Sequence, residues 1–168
     1  MNDKNISSQA PQFQLNDVNG NQVNLASFKG KWVVLVFYRG SWCPMCNMQI
    51  ASLAKDYPEF QRRNTEIIAI STDTPEGARK TQEKSHAPFP ILIDEDNNVI
   101  QLYKVATEKR ELKDVVALMH RKKAGAYAMP SVFIIDTDGV VRYSYIGKSY
   151  TDRPSNEDLL SRLSELQS

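Results

Sequence analysis

The chain has 168 residues, 41% of them hydrophobic and 24% charged, with a formal net charge of +1, the proportions of one soluble globular domain spanning residues 1 to 168. Near-neutral charge removes the electrostatic case for nucleic acid or an anionic membrane surface as partner. No window nears the roughly 18 apolar residues of a membrane span, and residues 1 to 8 lack a signal-peptide apolar run, so a cytoplasmic location is the expectation.

Residues 1 to 10 are polar and read as a frayed end. Phe13 and Leu15 alternate with polar neighbours, Asn19-Gly20 is a turn signal, and Val23 to Leu25 returns, which predicts an N-terminal hairpin. The run Trp32-Val33-Val34-Leu35-Val36-Phe37 is β-branched and aromatic without alternation, as expected of a central strand buried on both faces.

Cys46, Ile50, Leu53 and Tyr57 follow at spacings of four, three and four, one face of a helix that Pro58 should kink or divide. A second apolar strand is expected over Thr65 to Ser71, and Thr74 with Pro75 should open the next helix. Phe89 to Asp94 is a third candidate strand, closed by the turn-rich stretch Asp94 to Asn98.

Glu108 to Lys123 carries Leu112, Val115, Val116 and Met119 at helical spacing. Ser131 to Asp136 and the alternating Val141, Tyr143 and Tyr145 flank the turn Thr137-Asp138-Gly139, a strand pair. Ser155 and Asp158 make a capping-box start to a last helix with Leu159, Leu160, Leu163 and Leu166. Strands that alternate with helices and end in a hairpin predict an α/β fold, a mixed central sheet with helices on both faces.

Both cysteines, Cys43 and Cys46, lie where the central strand hands over to its helix. With Pro44 as first helical residue, Cys43 is the N-cap and Cys46 the third residue of the first turn. Free amides and the helix dipole favour a thiolate there, and such sites lower a cysteine pKa from about 8.5 to roughly 3.5 to 7.5. Residues three apart on a helix also lie within reach of a disulfide.

The helical phase puts Cys46 on the apolar face and Cys43 at the tip, which favours Cys43 as an exposed nucleophile and Cys46 as the resolving thiol. A zinc site would need two more ligands, and only His86 and His120 are available, both on distant segments. No metal or cofactor is expected. A non-catalytic metal-binding or protein-binding module is the alternative of another class.

Trp42-Cys43-Pro44-Met45-Cys46 after an apolar strand, with Met129-Pro130 before Ser131-Val132-Phe133, resembles the active-site and cis-proline motifs of the thioredoxin superfamily. Ala10-Pro11-Gln12-Phe13, the stretch Leu25 to Gly30, Ile70-Ser71-Thr72-Asp73 and Phe133-Ile134-Ile135-Asp136 resemble its peroxiredoxin and alkyl hydroperoxide reductase branch. The likeness covers nearly the whole chain and implies a thioredoxin-like fold.

The peroxiredoxin pattern Pro-x-x-x-Thr-x-x-Cys aligns with Arg39, Cys43 and Cys46, so its proline and threonine are both replaced, and Pro130 stands where that family has an arginine. A closer likeness is to peroxiredoxin-like proteins with Tyr-Arg-Gly-x-Trp-Cys-Pro-x-Cys-Asn, here Tyr38 to Asn47, and Tyr-x-x-Arg, here Tyr150 to Arg153.

The resemblance implies a thiol-disulfide oxidoreductase that reduces peroxides or protein disulfides and is recharged by a thioredoxin-type or glutathione-type reductant. Its runner-up form is a hydroperoxide reductase with Cys46 peroxidatic and Cys43 resolving. Trp42 is expected as an aromatic lid, Pro130 as a cis residue shaping the groove, and Arg39 as a substitute peroxide ligand, a surface ion pair or a loop anchor. The stretch Lys104 to Met129 is longer than the same connection in peroxiredoxins and is a candidate substrate lid or homodimer contact.

Overall fold

A computed structural model describes residues 6–107 and 126–168. The expected helix over Glu108 to Lys123, with His120, lies outside the described residues.

The hairpin forms from β1 (Gln14–Asp17) and β2 (Gln22–Asn24), paired antiparallel. β1 also pairs antiparallel with β5 (Ile91–Ile93) and so extends the main sheet. β3 (Trp32–Phe37) and β4 (Thr65–Ser71) run parallel, as do β4 and β5. On its other side β3 takes β8 (Ser131–Ile135), which pairs with β9 (Val141–Ile146), both antiparallel. The seven-stranded order is β2-β1-β5-β4-β3-β8-β9.

β3 therefore lies inside the sheet, as its unalternating run requires, and its two faces feed two cores. On one face Val34, Val36 and Tyr38 meet Ile50, Leu53 and Phe60 of α1 (Pro44–Gln61), with Ala78 of α2 (Pro75–Ser85) and Leu159 and Leu163 of α4 (Asn156–Gln167). On the other, Val33, Leu35 and Phe37 meet Phe133 and the short helix α3 (Asn98–Leu102) with Tyr103 behind it. The Phe37, Tyr103 and Phe133 rings meet edge-on or tilted, with centroids 5.1 to 5.8 Å apart. Truncating a ring buried like Phe133 to alanine should cost about 3 to 5 kcal/mol.

Two expectations need correction. Pro58 does not start a second helix, because it falls in the last turn of α1, where its carbonyl still accepts from Arg62 N at 3.0 Å. Only one upstream carbonyl loses its donor there, at an end that would fray in any case.

The Met129–Pro130 bond is not cis, and the described residues contain no cis peptide. Met129 N donates to Val105 O at 2.8 Å, and Pro130 O accepts from Gly147 N at 2.9 Å. The trans form, favoured intrinsically by about 0.5 to 1 kcal/mol before proline, already satisfies both neighbours. Met129 follows a small two-stranded sheet of β6 (Ala106–Thr107) and β7 (Tyr127–Ala128).

Candidate active site

The site begins where β3 ends. Tyr38 N still bonds Ile70 O at 3.0 Å, after which residues 39 to 42 loop into α1. Ser41 N donates to Asp73 Oδ2 at 2.8 Å, and Asn47 Nδ2 returns from α1 to Ser41 O at 2.7 Å. Gly40 is obligatory here, since a Cβ on it would stand 2.4 Å from the Trp42 indole nitrogen. The loop is therefore fixed from both sides.

Cys43 is the N-cap of α1, and its Sγ accepts from Cys46 N at 3.4 Å. Cys46 Sγ lies 2.6 Å from Cys43 Sγ and also accepts from Arg39 N at 3.4 Å. Both cysteines are free. Cys43 is 2% exposed and Cys46 0%, so the expected contrast between an outer and an inner sulfur is a contrast in charge rather than in exposure.

The Cys43 thiol is lowered from the ordinary 9.0 to about 6. The largest cause is the hydrogen bond from the Cys46 thiol, which outweighs the opposing effect of burial, and the Cys46 amide, Arg153 and Arg39 add to it. Burial pushes the Cys46 thiol the other way, and its neighbour's negative charge holds it protonated. One proton is thus shared unequally between two touching sulfurs.

Arg153 is the residue that sequence reasoning left out of the site. Its Nη2 lies 3.0 Å from Cys46 Sγ and 3.8 Å from Cys43 Sγ. Nη1 donates to Gln49 Oε1 on α1, and Nε to Tyr150 O at 2.9 Å. The only sequence signal was the Tyr150 to Arg153 spacing, and nothing in it says that the turn after β9 folds back onto α1.

Arg39 is buried beside the cysteines rather than on the surface. It is 8% exposed, with its guanidinium 4.8 Å from the Trp42 and Tyr127 rings and 5.3 Å from Tyr150. Trp42 meets Tyr127 edge-on, with centroids 6.0 Å apart, so it caps Arg39. Pro130 enters through its backbone, next to Ser131, whose partner in the sheet is Phe37 at the mouth of the site. His86 is exposed at the end of α2. Among the described residues no group of three or more His, Cys, Asp or Glu is arranged to hold a metal ion.

The AhpC/TSA family model matches residues 6–144. The chain belongs to the AhpC/TSA family. Within this family it is 32% identical over 136 residues to peroxiredoxin Bcp of Escherichia coli, covering 81% of each chain. It is also 31% identical over 137 residues to the thiol-disulfide oxidoreductase ResA of Bacillus thuringiensis, covering 81% of this chain and 66% of that one.

Solved structures agree on the fold. Peroxidoxin BcpB of Mycobacterium tuberculosis superposes with a TM-score of 0.80 at 22% identity, covering 98% of this chain and 99% of that one. Enterococcus faecalis AhpC gives 0.80 at 19% identity, covering 97% and 92%. The thioredoxin-like architecture and the thiol oxidoreductase class expected from the sequence both hold. The family match stops at Ser144, so Arg153 lies beyond it.

Proposed function

We propose that the protein is a dithiol peroxidase in which the Cys43 thiolate attacks a small hydroperoxide and Cys46 resolves the product. The observation that carries this reading is the Cys43 sulfur, which lies 2.6 Å from the Cys46 sulfur and accepts from the Cys46 amide while Arg153 lies over both sulfurs.

In the first step Cys43 Sγ attacks the hydroxyl oxygen of the peroxide, the O–O bond breaks, and a sulfenic acid forms as the alkoxide leaves. The alkoxide takes the Cys46 proton and departs as alcohol. Arg153 stabilises the charge on the oxygen that leaves, as a guanidinium fork does for anionic oxygen. Cys46 is then a thiolate in contact with Cys43, attacks its sulfur and expels hydroxide, which becomes water with the proton that Cys43 gave up earlier. One disulfide remains, and a thioredoxin-type or glutathione-type dithiol returns it to the starting state by exchange.

Burial of both sulfurs supports a small oxidant over a folded protein disulfide. The second reading, a thiol-disulfide oxidoreductase, draws on the Cys-x-x-Cys at a helix start. Stopped-flow with hydrogen peroxide and an alkyl hydroperoxide, set against reduction of insulin disulfides, separates the two. Rapid peroxide consumption by wild type and a single turnover by Cys46→Ser are expected. Insulin reduction without peroxide consumption would overturn the proposal.

A further inference from the structure

The turn after β9 has so far contributed one residue, Arg153, yet its Tyr150 touches both arginines of the site. The Tyr150 ring faces the Arg39 guanidinium at 5.3 Å, and the Tyr150 carbonyl accepts from Arg153 Nε at 2.9 Å. The base of the turn is anchored elsewhere. Gly147 N donates to Pro130 O at 2.9 Å, and the Asp152 carboxylate accepts from Lys148 N at 2.8 Å and from Tyr145 OH. At the far end Asp152 N donates to Ser149 O at 3.2 Å, the Ser149 and Thr151 hydroxyls lie 3.1 Å apart, and the Tyr150 ring meets Arg39.

An arginine side chain has many rotamers to lose, so aiming one nitrogen at a sulfur requires partners for the others. Gln49 holds Nη1. Nε is held by the carbonyl of the residue whose ring faces Arg39.

We propose that Tyr150 is a positioning residue whose ring, seated on Arg39, places the carbonyl that holds Arg153 against Cys46 and Cys43. The Tyr-x-x-Arg spacing then has a physical meaning, because a step of three residues around the turn returns the guanidinium Nε to the tyrosine carbonyl. Arg39 acts on the sulfurs through this clasp as well as through its own charge. The inference rests on the proposed Cys43 thiolate only for its chemical consequence, since the seating of Arg153 can be measured without it.

The test uses reduced full-length protein carrying Tyr150→Ala or Tyr150→Phe, each alone and with Arg153→Leu. Cys43 is titrated by thiolate absorbance, and exchange of the Arg153 Nε–H is followed by NMR. Tyr150→Phe, which keeps the ring, should stay closer to wild type than Tyr150→Ala. Tyr150→Ala should raise the Cys43 pKa by about half a unit to one unit, and should speed Nε–H exchange by about tenfold or more. In Arg153→Leu protein Tyr150→Ala should add no shift, as two steps of one chain do not add.

Tyr150 is 40% exposed, so its truncation leaves both cores filled, and Tyr150→Leu is read the same way if the alanine variant does not fold. An Nε–H that stays protected in Tyr150→Ala overturns the inference. So does an equal pKa shift without Arg153, or damage by Tyr150→Phe equal to that by Tyr150→Ala. A wild type with no thiol titrating near 6 sinks the thiolate assignment alone, and exchange at Arg153 still decides the role of Tyr150.

Discussion

Nη2 of Arg153 lies 3.0 Å from Sγ of Cys46, across 107 positions of sequence. The same atom lies 3.8 Å from Sγ of Cys43, so one guanidinium serves whichever sulfur holds the negative charge. Family membership accounts for the scaffold, whereas this contact is supplied by a residue outside the matched segment.

Replacing Arg153 by leucine should raise the Cys43 pKa by about one unit, and lower the peroxide rate near neutral pH by about tenfold. Arg153→Lys should recover only part of that rate, because an ammonium cannot hold Gln49, the Tyr150 carbonyl and a sulfur at once. Thiolate titration and stopped-flow on the same samples check both outcomes.

Protonation of Cys43 fixes the sign of two pH effects. Its folded pKa of about 6 lies below the ordinary 9.0, so the peroxide rate should climb as pH rises through 6 and then level. Between those two values the unfolded chain binds the extra proton, so reduced protein gains stability from Cys43 as pH rises. That contribution is complete above the unfolded value and is lost as pH falls through 6. Cys46, raised by burial, opposes it in alkali. The difference in Tm between wild type and Cys43→Ser, measured from about pH 5 to pH 8, should widen with pH.

Contact between the sulfurs also predicts resistance to over-oxidation. The sulfenic acid on Cys43 has its resolving thiol already in place, so disulfide formation needs no unfolding of the helix start and precedes attack by a second peroxide. Wild type treated with excess peroxide should show loss of two hydrogens by mass spectrometry. Cys46→Ser should instead accumulate sulfinic acid, and a sulfinic wild type would contradict the proposed order of events.

Gly77 supports the loop from a distance. A Cβ there would fall 2.2 Å from Oδ2 and 2.3 Å from Oδ1 of Asp73, whose carboxylate holds Ser41 N and Thr74 N at 2.8 Å each. Gly77→Ala should cost about 2 kcal/mol in urea unfolding. It should also disturb the Cys43 titration, which a neutral change elsewhere on α2 would leave in place.

Most of the scaffold was legible because its signals are local and repeated. The unalternating run of β3, Pro44 after Cys43, Thr74 before Pro75 and the Ser155 to Asp158 box each state their structure within a few residues, and each formed as expected. α3 escaped because five residues make little more than one helical turn, and β6 and β7 because two residues each show no alternation. The charge of the site escaped for another reason. Arg39 is caged by rings from Trp42, Tyr127 and Tyr150, which only the closed sheet brings together. Arg153 depends on the turn after β9 in the same way. Pro130 misled because a motif names a residue without fixing its bond, and trans geometry satisfied both neighbouring backbone groups.

The span between Cys46 and Arg153 bears on how the protein is made. Synthesis at about 5 to 20 residues per second leaves roughly 5 to 20 seconds between the emergence of the cysteines and that of their guanidinium. β8 must insert beside β3, and β9 beside β8, before the turn can reach α1. A nascent chain therefore carries two thiols without that charge beside them, and full reactivity arrives only when the molecule is complete.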